Sequence, residues 1–127
     1  MKLRISVFLM GLILTNAALA DTYYGILNAV SRTGKTFPVT FTYKIDLSNK
    51  DKITGTLDIA GPRTACSGTH EITSGSIKNN AITLRTKDLD GAKCGAMVFR
   101  GEIEGNKFVG KVPWNGTQVD MELERQN

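Results

Sequence analysis

The chain has 127 residues, with 16 Lys and Arg against 12 Asp and Glu, and 41% of its residues are hydrophobic. Lys2 and Arg4 belong to an N-terminal leader; without them 14 basic side chains face 12 acidic ones, and the net charge falls from +4 to +2. So small an excess argues against a nucleic-acid binder, which concentrates basic residues in a stripe, and the 107 residues after the leader suit one domain rather than two.

The leader spans 1–20. Lys2 and Arg4 make a cationic start, Ile5 to Leu14 is an apolar run, and Ala18-Leu19-Ala20 is a small-residue cleavage signal before Asp21, the pattern of a secretory signal peptide. The run is too short to span a bilayer, and no cysteine lies near the cleavage point to carry a lipid. The expectation is a single domain over 21–127, periplasmic or secreted, with no membrane insertion after cleavage. Cys66 and Cys94 are the two cysteines, and an even count in a secreted chain predicts a disulfide. Closing a loop of about 29 residues stabilises a fold by roughly 3 to 4 kcal/mol. A metal site on these two cysteines would need further ligands, and His70 is the single histidine. No metal or other cofactor is expected.

Strands follow at short, regular spacing, and no glycine- and proline-free segment of ten residues shows a helical period. The first covers Thr22 to Val30. After a turn over Ser31-Arg32-Thr33-Gly34-Lys35, the second covers Phe37 to Leu47, with Val39, Phe41, Tyr43, Ile45 and Leu47 on one face and Thr40, Thr42, Lys44 and Asp46 on the other. Pro38 stands at its start, where a missing donor does least harm. Ser48-Asn49-Lys50-Asp51 leads into a third strand with Ile53, Gly55, Leu57 and Ile59 on one face, and a loop over Ala60 to Thr69 carries Cys66. The fourth and fifth strands turn about Asn79-Asn80, setting Ile77 against Ile82 and Gly75 against Leu84; a long connection, Lys87 to Gly95, carries Cys94. From Ala96 to Arg125 two tight turns, Gly105-Asn106 and Asn115-Gly116, define three strands. They pair Ile103 with Phe108, Gly101 with Gly110, Val112 with Val119, Gly110 with Met121, Phe108 with Leu123 and Lys111 with Asp120.

Eight strands in up-and-down order suit an all-β, eight-stranded antiparallel meander that closes into a barrel and leaves no free edge. Its outer face carries charges such as Lys44, Asp58, Arg85, Glu102, Lys111 and Glu122, which excludes a lipid-facing exterior. In a meander both cysteine-bearing loops fall at the same end, so the disulfide clamps one mouth while short turns shut the opposite base. The alternation turns Gly55, Gly75, Gly101 and Gly110 inward, where they either hollow the lumen for a ligand or let the sheet coil while large neighbours fill the gap. Carried to the mouth, the same alternation points Trp114, Thr73, Thr86 and Glu71 inward, with Tyr43 and Asn28 deeper: an aromatic rim plus a few polar groups, as at a small-ligand site. The mouth loops add Arg32, Lys35, Arg63, Lys87 and Lys93 against Asp88 and Asp90, a rim able to attract an anionic ligand or an acidic protein surface.

Material for catalysis is thin. A Ser-His-Asp arrangement would have to use Ser67, His70 and Asp88 or Asp90, and no nucleophile elbow or metal motif accompanies them. An enzyme is not expected. Across most of the mature length, the meander and its repeated Gly-x-apolar strands resemble the calycin-type barrels, the group of lipocalins and avidins, and small periplasmic proteins of that shape. The Gly-x-Trp of the lipocalin first strand is Gly25-Ile26-Leu27 here, without the tryptophan. A second likeness is to periplasmic lysozyme inhibitors, whose Ser-Gly-x-x-Tyr signature is half present: Ser67-Gly68 stands in place, and no tyrosine follows it. Neither likeness carries functional residues over; the inward alternation at the mouth leads to the expectation of a non-catalytic binding module that takes a small ligand there through Trp114, Tyr43, Thr73, Thr86 and Glu71. The alternative is a protein-interaction factor, such as a periplasmic enzyme inhibitor, acting through Arg63, His70, Lys87 and Lys93.

Overall fold

The computed structural model describes residues 20–31, 33–62, 66–88 and 94–126. The leader before Ala20, together with Arg32, Arg63, Asp90 and Lys93, lies outside the described residues. The strands are β1 (Ala20–Val30), β2 (Thr36–Asp46), β3 (Thr54–Ala60), β4 (Gly68–Lys78), β5 (Ala81–Asp88), β6 (Ala96–Glu104), β7 (Lys107–Trp114) and β8 (Thr117–Arg125). Each pairs antiparallel with the next, and β8 returns to β1, so the sheet is a closed eight-stranded meander.

Local turn chemistry sets the register. Asn115 and Gly116 both take positive φ, 51° and 82°, the backbone of a type I′ hairpin, and the pairs that follow are Val112 with Val119, Lys111 with Asp120, Gly110 with Met121 and Phe108 with Leu123. The hairpins about Asn79-Asn80 and Gly105-Asn106 likewise set Ile77 against Ile82, Gly75 against Leu84 and Ile103 against Phe108. Lys111 and Asp120 form an ion pair on the outer wall, and Lys107 and Glu122 a second at 3.3 Å.

The inward side chains fill the barrel. Tyr43, Phe41, Phe99 and Leu57 are wholly buried, with Phe108, Leu27, Ile45, Ile59 and Leu84 nearly or fully so. Tyr23 stacks on Phe108 with ring centroids 4.0 Å apart, and Tyr43 lies tilted against Phe99 at 6.4 Å. The glycines serve close approach rather than empty space. A Cβ on Gly101 would sit 2.5 Å from the carbonyl oxygen of Val109 and 2.9 Å from the Phe99 ring, and one on Gly110 would strike the carbonyl of Arg100. Bare backbone at this cross-strand pair lets β6 and β7 coil tightly beneath an aromatic lid.

Two bulges break the alternation, both toward the mouth. On β4 the partner of Ile72 is Thr86 while that of Ser74 is Arg85, so Thr73 is an extra residue. The inward set therefore changes from odd numbers, Gly75 and Ile77, to even, Ile72. On β5 Arg85 pairs with Val98 but Asp88 with Ala96, a second slip.

Candidate functional site

The β1–β2, β3–β4, β5–β6 and β7–β8 connections converge on one end of the barrel. The disulfide joins Cys66 and Cys94 there, between the third and fourth strands and between the fifth and sixth, with Cα atoms 5.9 Å apart. The opposite base is sewn by short backbone bonds: Ile53 N–H to Gly75 C=O, Ile77 N–H to Lys50 C=O, Ile103 N–H to Asn80 C=O and Arg125 N–H to Asn106 C=O.

Of the residues expected to face the lumen near this mouth, Thr73 and Glu71 do not. Both are exposed, and the Thr73 hydroxyl donates to the carbonyl of Arg85 at 3.4 Å. The β4 bulge is the reason, because one added residue swaps the two faces of the strand above it. Asn28 is exposed as well, on the outer face of β1. Thr86 does point inward and is 1% exposed. Its hydroxyl accepts the Met97 N–H at 2.9 Å and donates to the Lys87 carbonyl at 2.9 Å, so it replaces the ladder bonds that the second bulge interrupts. Met97 escaped the sequence reading; the signal was the broken alternation of Ala96-Met97-Val98-Phe99, where three successive apolar residues are buried.

Trp114 is half-buried at the rim, edge-on to Phe41 with ring centroids 6.1 Å apart. Tyr43 lies beneath, wholly buried, and its hydroxyl has no hydrogen-bond partner among the described residues. Burial pushes its phenol above the usual tyrosine range. His70 is half-buried, with Nε2 2.8 Å from the carbonyl oxygen of Cys66, which ties the ring to the crosslinked loop. Ser67 donates to the Gly61 carbonyl at 3.5 Å, and Thr69 donates to Asp58 Oδ1 at 2.9 Å. Lys87 is exposed. Among the described residues no three His, Cys, Asp or Glu side chains gather to hold a metal ion.

A cleft of about 400 Å³ opens at the same end, between the β1–β2 turn and the β3–β4 connection, lined by Ser31, Thr33, Lys35, Thr36, Phe37 and Pro62. Phe37 is half-buried, one side packed on the core and the other forming the cleft wall. Lys35 was legible in the sequence as part of a cationic rim. Phe37 stood in the sequence only as the first residue of the second strand, and its partly open ring is a product of the loops around it. No protein-family model, curated protein or solved structure matches this chain. The closed antiparallel meander is consistent with a calycin-like fold, and its disulfide suggests an oxidising, extracytoplasmic compartment.

Proposed function

We propose that this chain is a non-catalytic binding module of the periplasm or the secreted space, cleaved after Ala20, which takes a small ligand at its crosslinked mouth. The observation that carries this reading is the Phe37 cleft. At about 400 Å³ it falls among the volumes of small-molecule sites, which join an apolar wall to a few convergent polar groups. Here the apolar wall is Phe37 with Pro62, and the polar residues are Lys35, Thr36, Ser31 and Thr33, the last two with their hydroxyls bonded to each other at 3.0 Å. That chemistry suits an apolar or aromatic body bearing an anionic group. A ligand deeper in the lumen would have to displace Phe41 and Phe99, both wholly buried, before it reached Tyr43. Trp114 is therefore a plug over the core, and a ligand at the mouth meets its rim side.

The test is a thermal-shift screen of aromatic and aliphatic acids, with binders followed by amide chemical shifts. Binding should move the amides of residues 31–37 and 61 and should weaken at least tenfold in Phe37→Ala, while a binder that moves only base residues refutes the assignment.

The packed lumen favours a second reading, in which the mouth loops grip another protein through His70, Lys87, Arg63 and Lys93. Inhibition of a muramidase at one-to-one stoichiometry, lost in Lys87→Glu, would support it; an uninhibited enzyme would count against the lysozyme form of this reading.

A further inference from the structure

Closure of the barrel is confined to one end of its seam. The β1–β8 ladder holds Tyr23 with Arg125 and Tyr24 with Glu124, and Gln126 N–H adds a bond to Thr22 C=O at 2.9 Å. A Cβ on Gly25 would fall 2.5 Å from the Glu122 carbonyl oxygen, so the strands still touch there. From Ile26 to Val30 the ladder does not continue. The bond from Ser31 N–H to Lys35 C=O places the odd residues of β1 in hydrogen-bonding phase with β2, and the bond to Thr22 C=O places the even residues in phase with β8. The N–H and C=O groups of Ile26, Asn28 and Val30 consequently point to a stretch of the seam where, among the described residues, no ladder to β8 forms.

The side chains on that edge are unusual. Ile26 and Val30, 52% and 57% exposed, are the large hydrophobic residues left in solvent among the described residues. The outward residues of β1, namely Thr22, Tyr24, Ile26, Asn28 and Val30, carry no charge, whereas those of β8 include Asp120, Glu122 and Glu124. Natural edges are protected by a lysine, a proline or a strong bulge, and this one has none of them between Ile26 and Val30. Continuing the intramolecular register would set Ile26 against Glu122 and Val30 against Gln118, poor cross-strand pairs, while Lys107 and Lys111 hold Glu122 and Asp120 toward β7.

We propose that this stretch of β1 pairs antiparallel with the same stretch of a second copy of the chain, with the two-fold axis through Asn28. The strip is complementary to itself in that register. Ile26 of one copy lies opposite Val30 of the other on the same face, the two Asn28 side chains meet at the axis, and the even-numbered backbone groups exchange hydrogen bonds. An uncharged strip also meets its own copy without like-charge repulsion. A cleft of about 500 Å³, lined by Ile26, Val109, Gly110, Asp120, Met121 and Glu122, leaves room for the incoming Val30 beside Ile26. This pairing does not depend on the mouth ligand.

Sedimentation equilibrium of the purified protein tests it, together with two variants. Ile26→Lys puts a charge on the apolar pair, and Asn28→Pro removes an edge N–H that the β1–β2 ladder does not use, since Asn28 already lies opposite Pro38 there. The wild-type mass should rise with concentration toward twice the monomer, with the amides of Ile26, Asn28 and Val30 protected from exchange in the dimer and released on dilution. Both variants should stay monomeric at concentrations where the wild type is mostly dimer, with far-ultraviolet circular dichroism of the folded barrel. A monomer at every concentration overturns the proposal, including the case in which a foreign extended peptide takes the edge. A dimer unaffected by both substitutions overturns it equally.

Discussion

Thr86 and Met97 are joined by a hydrogen bond in which a buried hydroxyl takes the place of a backbone carbonyl, at 2.9 Å, where the β5–β6 ladder slips. The geometry leaves Met97 N–H dependent on that side chain. Thr86→Val keeps the shape and deletes the acceptor, so it should cost about 1 to 3 kcal/mol in urea unfolding, the penalty of an unsatisfied buried donor. Thr86→Ser should cost less, since it retains the oxygen. Equal losses in the two variants would mean that packing, not the hydroxyl, closes the bulge.

Tyr43 presents the reverse case. Its hydroxyl is buried and unpartnered among the described residues, so Tyr43→Phe should leave stability unchanged or raise it by up to about 1 kcal/mol. Tyr43→Ala, which also removes the ring, should cost about 3 to 5 kcal/mol. A marked loss in Tyr43→Phe would show that the hydroxyl has a partner in solution.

The same burial makes a prediction about alkali. The Tyr43 phenol titrates above its ordinary value of 10.0 in the folded chain because desolvation disfavours the anion, so the unfolded chain loses that proton first. Stability linked to this group is complete below pH 10 and falls as pH rises beyond it, with a slope approaching about 1.4 kcal/mol per pH unit. Tyr43→Phe should flatten that slope in urea titrations between pH 9 and 11. A smaller slope should persist from Tyr23, which burial and then the neighbouring Asp21 also raise, against the opposing effect of Arg125.

Removing the Cys66–Cys94 crosslink frees a segment whose ends are 28 residues apart in sequence. Reduction, or the double Cys→Ser variant, should lower unfolding free energy by about 3 to 4 kcal/mol and leave the strands paired at the base. Amide exchange should then rise first in residues 66–70 and 94–98, with the base hairpins protected longer.

Gly101→Ala tests whether the lumen has room above the glycine pair. With the Val109 carbonyl and the Phe99 ring in the way, it should destabilise the barrel by about 1 to 3 kcal/mol. A neutral result would reopen the possibility of a hollow lumen.

What was legible in advance was whatever short-range rules decide. Asn115-Gly116 demands a two-residue turn, and once the turn is placed, Val112 must face Val119 and Lys111 must face Asp120. Counting connections along a meander then put both cysteines at one mouth without knowledge of any contact between them. Thr73 and Glu71 were misplaced because alternation carried upward from Gly75 assumes an unbroken ladder. An inserted residue leaves no trace in the pattern of a strand whose Ile72, Thr73 and Ser74 fit either face.

The remaining features depend on how distant segments meet. The Tyr43 hydroxyl, unpartnered among the described residues, arises from side chains on several strands packing around it, the Phe37 cleft from two loops separated by a pair of strands, and the end of the described seam ladder before Ile26 from the first and last strands. The order of strands, their turns and the inward faces of the unbulged stretches were therefore determined by the sequence, through interactions between near neighbours. Where the wall is bulged, how tightly the lumen is filled and how far the seam closes were decided by tertiary structure alone, because each is a compromise among strands that the linear pattern never compares.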